Sequence, residues 1–261
     1  MRDELGDRMK KNYENRTRIL LPRRTYTIIR IDGKAFHTYT RGCERPFDAG
    51  LIADMNATAE YLCKNIQGAK IGFVQSDEIS ILMTDFDKLD TDAWFDGNIQ
   101  KIVSVAASMA TAKFNRLRLI RQFNSPMVMY NGDAVLSIID ARKLAEFDAR
   151  TFTIPMKTEV MNYFIWRQQD TVRNSISSVA QSLYSSKQLN GKNMSEQQEM
   201  IFQKGINWND YDSTLKRGRF VFKEKYDKDG TERTRWVTRA CPTFTQEPIF
   251  LELYVPDNCN I

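Results

Sequence analysis

The sequence predicts an α+β fold whose first 155 or so residues run β-α-β-β-α-β, and three observations carry that prediction. A β-branched and aromatic run, "TYTIIRI" at 25–31, ends on Asp32-Gly33. Two apolar runs, "AKIGFVQ" (69–75) and "EISILMT" (78–84), flank the two-residue turn Ser76-Asp77. Two segments with apolar residues at helical spacing, 48–66 and 98–119, follow the first strand and the hairpin in turn. The order is that of the ferredoxin-like split β-α-β fold, which hosts many unrelated activities and names none of them.

The elements follow from local chemistry. "LPRR" and Asp-Gly bound the first strand. The helix at 48–66 has Asp48 in N-cap position and Gly68 as a stop. In the second helix Ile99, Ile102, Val103, Ala106, Met109, Ala110, Phe114 and Leu117 form an apolar face that Lys113 interrupts. Further strands are expected at 134–139 and 150–154. Beyond Pro155 the pattern turns helical, over 156–185 and 195–205, with Ser195 and Gln198 as a capping box. The tail from 218 to 254 reads as aromatic and charged strands turning at Asp229-Gly230. The chain therefore divides into an α+β unit at 1–155 and a helical and β-hairpin region at 156–261 packed on it. Tyr163, Trp166 and Trp208 are expected in the core.

Composition bounds the function. With 261 residues and 42% hydrophobic content the chain buries a sizeable core. It has no run of about 18 apolar residues, and its charged beginning, "MRDELGDRMKKNYENR", favours a cytoplasmic protein. Cys43, Cys63, Cys241 and Cys259 show no CxxC pairing and His37 is the only histidine, which argues against structural zinc. Net charge is +5, with basic residues concentrated at 8–24, 113–121 and 215–239, two of these interleaved with aromatics. That combination suits a nucleic-acid partner, although each cluster alone reads as a solvated face.

Strands joined by a helical crossover are parallel, so the carboxyl ends of 25–31 and 69–75 lie on one edge. Asp32 and Asp77 then fall within roughly 5–10 Å of each other, given strand spacing of about 4.8 Å. Two close carboxylates repel unless a cation lies between them, and an all-oxygen site suits Mg²⁺. A two-ion version supports phosphoryl transfer. The amides of Gly33 through Phe36 can cradle a triphosphate. Taken singly, Asp32-Gly33 and Ser76-Asp77 are ordinary turns and His37 an ordinary surface or packed histidine.

Four blocks in order, "RIDGKAFH" (30–37), "QSDEISI" (75–81), "FDARTFTIP" (147–155) and "YFIWRQQDTVRNSI" (163–176), resemble the tRNA-histidine guanylyltransferase family and its Thg1-like 3′-to-5′ polymerases. The resemblance implies a polymerase palm, two Mg²⁺ ions, and nucleotide addition to the 5′ end of tRNA. It implies Asp32, Asp77 and the Gly33 carbonyl as metal ligands, with Glu78 as the third acid, supporting metals and geometry rather than serving as an invariant ligand. It assigns the triphosphate to Asp32, Gly33, Lys34, Ala35, Phe36, His37, Ser76 and Asp77, with Arg45 near phosphate where the family commonly has lysine. Asn174, Lys187, Lys192, Lys216 and Arg217 are the expected RNA contacts. ATP or GTP would activate a 5′-monophosphate before an incoming nucleoside triphosphate attacks, and the family assembles as a homotetramer.

One departure matters. Eukaryotic members carry His-Ile-Asn-Asn after the Trp-Arg-Gln block, whereas "TVRNSI" here has Val172 at the histidine position. That favours template-dependent repair of 5′-truncated tRNA over obligatory G addition to tRNA-histidine. A non-catalytic RNA-binding palm and a nucleotide cyclase are the other readings. The intact acids oppose the first and the missing GGDEF-like signature opposes the second.

Overall fold

The computed structural model describes residues 3–123 and 143–258, beginning with α1 (Glu4–Asn12). The strand expected at 134–139 lies outside the described residues. Six strands form one sheet: β1 (Tyr26–Gly33), β2 (Ala69–Gln75), β3 (Glu78–Met83), β4 (Phe147–Ile154), β5 (Arg219–Lys228) and β6 (Thr231–Ala240). Their order is β4-β1-β3-β2-β5-β6 and every neighbouring pair is antiparallel. β1 and β2 are therefore parallel to each other with β3 between them, as the crossover required. The strand expected at 150–154 begins earlier, at Phe147.

β1 carries apolar residues at both odd and even positions because both of its faces are covered. Ile29 and Ile31 join Val74, Ile79 and Ile81 beneath α3 (Ala49–Asn65) and α4 (Ile99–Phe123), where Met55, Leu62, Ala106 and Phe114 pack on them. Tyr26 and Ile28 face the other way, with Ile71, Phe73 and Leu82, against Val160 and Phe164 of α5 (Lys157–Leu183). Burying each such side chain contributes about 1.5–3 kcal/mol before entropy. α3 starts where Asp48 accepts from Leu51 N at 2.7 Å, and Gly68 takes φ +79° just after its end. Lys113, the interruption on α4, sets its ammonium 5.5 Å from the Tyr61 ring.

The second half of the chain continues the sheet. β5 pairs with β2 through Gly72–Val74 and forms with β6 the hairpin turning at Asp229-Gly230. A smaller core joins Ile176, Val179 and Ala180 of α5 to Ile201 of α7 (Met194–Gln203) and to Trp208. Between α5 and α7 sits α6 (Ser186–Leu189), and α8 (Ser213–Lys216) precedes β5.

Three expectations are corrected. The box at the start of α7 is Asn193 with Glu196, not Ser195 with Gln198: Glu196 N donates to Asn193 Oδ1 at 3.0 Å and Asn193 N to Glu196 Oε2 at 2.7 Å. The tail is not all strand, because Pro248 opens α9 (Pro248–Tyr254), proline being preorganised for a first helical turn. Trp166 is 46% exposed, while Tyr163 and Trp208 are buried. The Arg167 guanidinium lies 3.6 Å over the Trp166 ring and covers one face of it.

Candidate active site on the edge of the sheet

Strand alternation decides which side chains meet at the carboxyl ends of β1 and β2. Asp32 pairs in register with Glu78 on one side and Asp148 on the other. Gln75 pairs with Glu78 across the hairpin. Opposed residues share a face, so Asp148, Asp32, Glu78 and Gln75 form one row on the α5 side. Asp77 precedes Glu78 in a turn whose Ser76 takes a left-handed φ of 44°.

The acids stand in different environments. Burial pushes the Asp77 carboxyl up to about 6, the Ser76 hydrogen bond pulls against that rise, and the charges of Asp32 and Glu78 add to it. A bound cation would relieve that repulsion. Among the described residues no group of three His, Cys, Asp or Glu side chains forms a ready ligand set. The fit to Mg²⁺ is of the sparse kind, one or two carboxylates completed by water and substrate phosphates.

After Asp32 the chain turns through Ala35, φ 50°, into α2 (Phe36–Tyr39), whose first turn has no side-chain cap. Phe36 is buried against Tyr39, Phe114 and Phe147. Its ring explains Gly33: a Cβ there would stand 2.2 Å from the Phe36 ring. Lys34 is exposed and pairs with Glu146 at 2.6 Å, while His37 is exposed beside Thr38. Arg45 is exposed at the cis bond to Pro46.

A cleft opens next to this edge, lined by Pro46, Phe47, Leu51, Ser76, Asn174 and Arg219, among others. It brings Ser76, expected to bind phosphate, together with Asn174, expected to touch RNA. The other expected RNA contacts diverge. Lys187 and Lys192 are exposed near the α6–α7 junction, Lys192 with Glu196 at 3.4 Å. Arg217 is half-buried. Lys216 is buried, and its Nζ donates to the Asn209 carbonyl at 2.5 Å and lies 5.4 Å from the Trp208 ring. As an RNA contact it is corrected: its charge is spent inside the small core.

Sequence reasoning missed the layer under the acids. Arg167 Nη1 donates to Glu78 Oε2 at 2.8 Å, and Thr171 Oγ1 lies 2.5 Å from Gln75 Oε1. Arg219, on β5, is buried with Nε donating to Asn56 Oδ1 at 2.7 Å. Burial lowers its pKa to about 10. The available signal was the polar set Arg167, Gln168 and Thr171 in an otherwise apolar helical stripe.

Known proteins share this fold and sequence over most of the chain. A bacterial tRNA(His) guanylyltransferase (Thg1)-like protein solved in complex with ATP is 44% identical, with TM-score 0.81, covering 97% of this chain and 99% of that one. Its counterpart in complex with GTP gives TM-score 0.78 at the same identity and coverage. The tRNA(His) guanylyltransferase of Debaryomyces hansenii is 27% identical over 239 residues, 86% of this chain and 83% of that protein. An uncharacterised protein of Acanthamoeba polyphaga mimivirus is 27% identical over 245 residues, 89% of this chain and 81% of that one. The family model for tRNAHis guanylyltransferase matches residues 6–155. With the acids of β1 and the β2–β3 turn meeting at one sheet edge, and these likenesses over most of its length, this chain belongs to the Thg1 family of tRNA(His) guanylyltransferases.

Proposed function

We propose that this nucleotidyltransferase adds nucleotides in the 3′-to-5′ direction to 5′-truncated tRNA, using the opposite strand as template. The observation that carries the proposal is the convergence of Asp32 and Asp77 on one edge beside a cleft. The bacterial relative's complexes with ATP and with GTP support a nucleoside triphosphate as substrate.

Asp32 and Asp77, with the Gly33 carbonyl, would hold Mg²⁺. When bound, the ions supply charge neutralisation at the attacking and leaving oxygens. The chain's own work is positioning. The Asp32–His37 loop and Ser76 seat the triphosphate, and Lys34 reaches it by leaving Glu146, an exposed pairing of low cost. Pro46, Phe47 and Leu51 wall the cleft for the base, and Asn174 approaches from α5. In activation a 5′-monophosphate oxygen attacks the α-phosphate of ATP or GTP and pyrophosphate leaves. In addition the 3′-hydroxyl of an incoming nucleoside triphosphate attacks the activated 5′-phosphate and the nucleoside monophosphate leaves.

Val172 at the histidine position supports templated repair over G addition to tRNA-histidine, while the names of the fungal relatives favour the latter. Labelled tRNAs lacking one or two 5′ residues, offered with Mg²⁺, ATP and all four nucleoside triphosphates beside full-length tRNA-histidine, separate the two. The proposal expects additions that follow the opposing base. Addition confined to full-length tRNA-histidine, whatever the opposing base, would overturn it.

A further inference from the structure

We infer that Arg167 is a positioning residue for nucleotide addition, acting through Glu78 to hold the Ser76-Asp77 turn in place. The inference rests on Asp32 and Asp77 being the metal-holding pair. It starts from the occupancy of the Glu78 carboxylate. Oε2 accepts from Arg167 Nη1 at 2.8 Å and lies 3.8 Å from Arg30 Nε. Oε1 accepts from Gln75 Nε2 at 3.1 Å and from Ser80 Oγ at 3.4 Å. Three of its roughly four acceptor sites are therefore taken by protein donors, and the residue is 8% exposed.

Turning Glu78 toward a metal would leave Arg167 as a buried cation short of its partner. Arg167 is 4% exposed, its only other carboxylate among the described residues being Asp170 at 3.4 Å. The Nε atoms of Arg30 and Arg167 already have no hydrogen-bond partner among the described residues. The ion pair ties α5 to the residue next to Asp77. One helical turn on, Thr171 ties the same helix to Gln75, on the other side of the turn. The Ser76-Asp77 turn is thus pinned at both ends to α5, the helix that carries Asn174 at the cleft. Glu78 thus clamps the turn that carries Asp77, its carboxylate held by Arg167 while Gln75 is held by Thr171.

The test is a double-mutant cycle in the full chain with Arg167→Gln, Glu78→Gln and both, assayed for nucleotide addition across Mg²⁺ and nucleotide concentrations. Each single variant is expected to lose about 10-fold or more in kcat, with the half-saturating Mg²⁺ concentration within about 3-fold of wild type. The double variant is expected to be no slower than the slower single, because both changes break one pair. A Glu78→Gln shift of about 10-fold or more in the Mg²⁺ requirement, or losses that multiply in the double variant, would overturn the inference. A lowered melting temperature with unchanged kcat at temperatures below melting would reduce Arg167 to packing and also overturn it. If Arg167→Gln fails to fold, Arg167→Lys replaces it, and the same comparison with Glu78→Gln decides. Asp77→Asn run alongside is expected to raise the Mg²⁺ requirement. If it does not, the metal reading of Asp77 fails, while coupling between Arg167 and Glu78 is still read from the cycle.

Discussion

The same strands present two faces that differ in kind. Toward α3 and α4 the central strands offer Ile29, Ile31, Val74, Ile79 and Ile81, all fully buried among apolar neighbours. Toward α5 they offer Arg30, Asp32, Gln75, Glu78 and Ser80, of which Ser80, Glu78 and Gln75 are tied to Tyr163, Arg167 and Thr171 respectively. The apolar face sets register and the polar face spends it. A one-residue slip of β1 against β3 would carry Asp32 to the α3–α4 side and Ile31 to the acidic row. The isoleucines therefore protect the chemistry without touching it, and a substitution on either face has a distinct signature.

The largest effect belongs to the acids. Asp32→Asn and Asp77→Asn are each expected to slow nucleotide addition by about a thousandfold or more, with circular dichroism and tRNA binding retained. Near-normal extension by either would dissolve the distinction between the faces. Next comes the apolar side. Ile81→Ala is expected to cost about 2–5 kcal/mol in denaturant unfolding while leaving the Mg²⁺ requirement of the folded fraction unchanged. A shifted Mg²⁺ requirement would show that the two faces are not separable.

A smaller effect follows from Asp77. Its folded pKa of about 6 lies above the unfolded 3.8. The folded protein therefore binds more protons between those values, and stability from this group is full below pH 3.8 and is lost as pH rises through about 6. In metal-free protein at pH 8, Asp77→Asn should stabilise by on the order of 2 kcal/mol, an advantage that fades at pH 4. A stabilisation independent of pH would contradict the burial of an ionised Asp77. The smallest changes lie at the surface lysines. Lys187→Ala and Lys192→Ala should each lower the salt slope of tRNA affinity by about one. Lys216→Ala should leave that slope unchanged and lower the melting temperature, since its ammonium serves the Asn209 carbonyl.

The fold was legible where pattern and punctuation agreed. Asp32-Gly33, Asp48 and Ser76-Asp77 mark real element ends, and the crossover rule placed both acids on one edge before any coordinate did. Two kinds of feature were not legible. Competing caps such as Asn193 and Ser195 differ by only two positions, and only backbone geometry chooses between them. Long-range pairing was also hidden: β5 joins the sheet at β2, about 150 residues away along the chain, which no local period reveals. The same holds for Arg167 and Glu78, 89 residues apart. Trp166 was misplaced because helical spacing assigns a side to a ring but not the cation that covers it.

Manganese binding in the presence of nucleotide, followed by electron paramagnetic resonance, addresses the central claim directly because it reads the metal without turnover. Asp32→Asn and Asp77→Asn are each expected to weaken bound Mn²⁺ by about tenfold or more, whereas Glu78→Gln is expected to bind it as wild type does. Retention of full Mn²⁺ binding in both aspartate variants, or its loss in Glu78→Gln, would contradict the assignment of the two aspartates as the metal-holding pair and of Glu78 as the partner of Arg167.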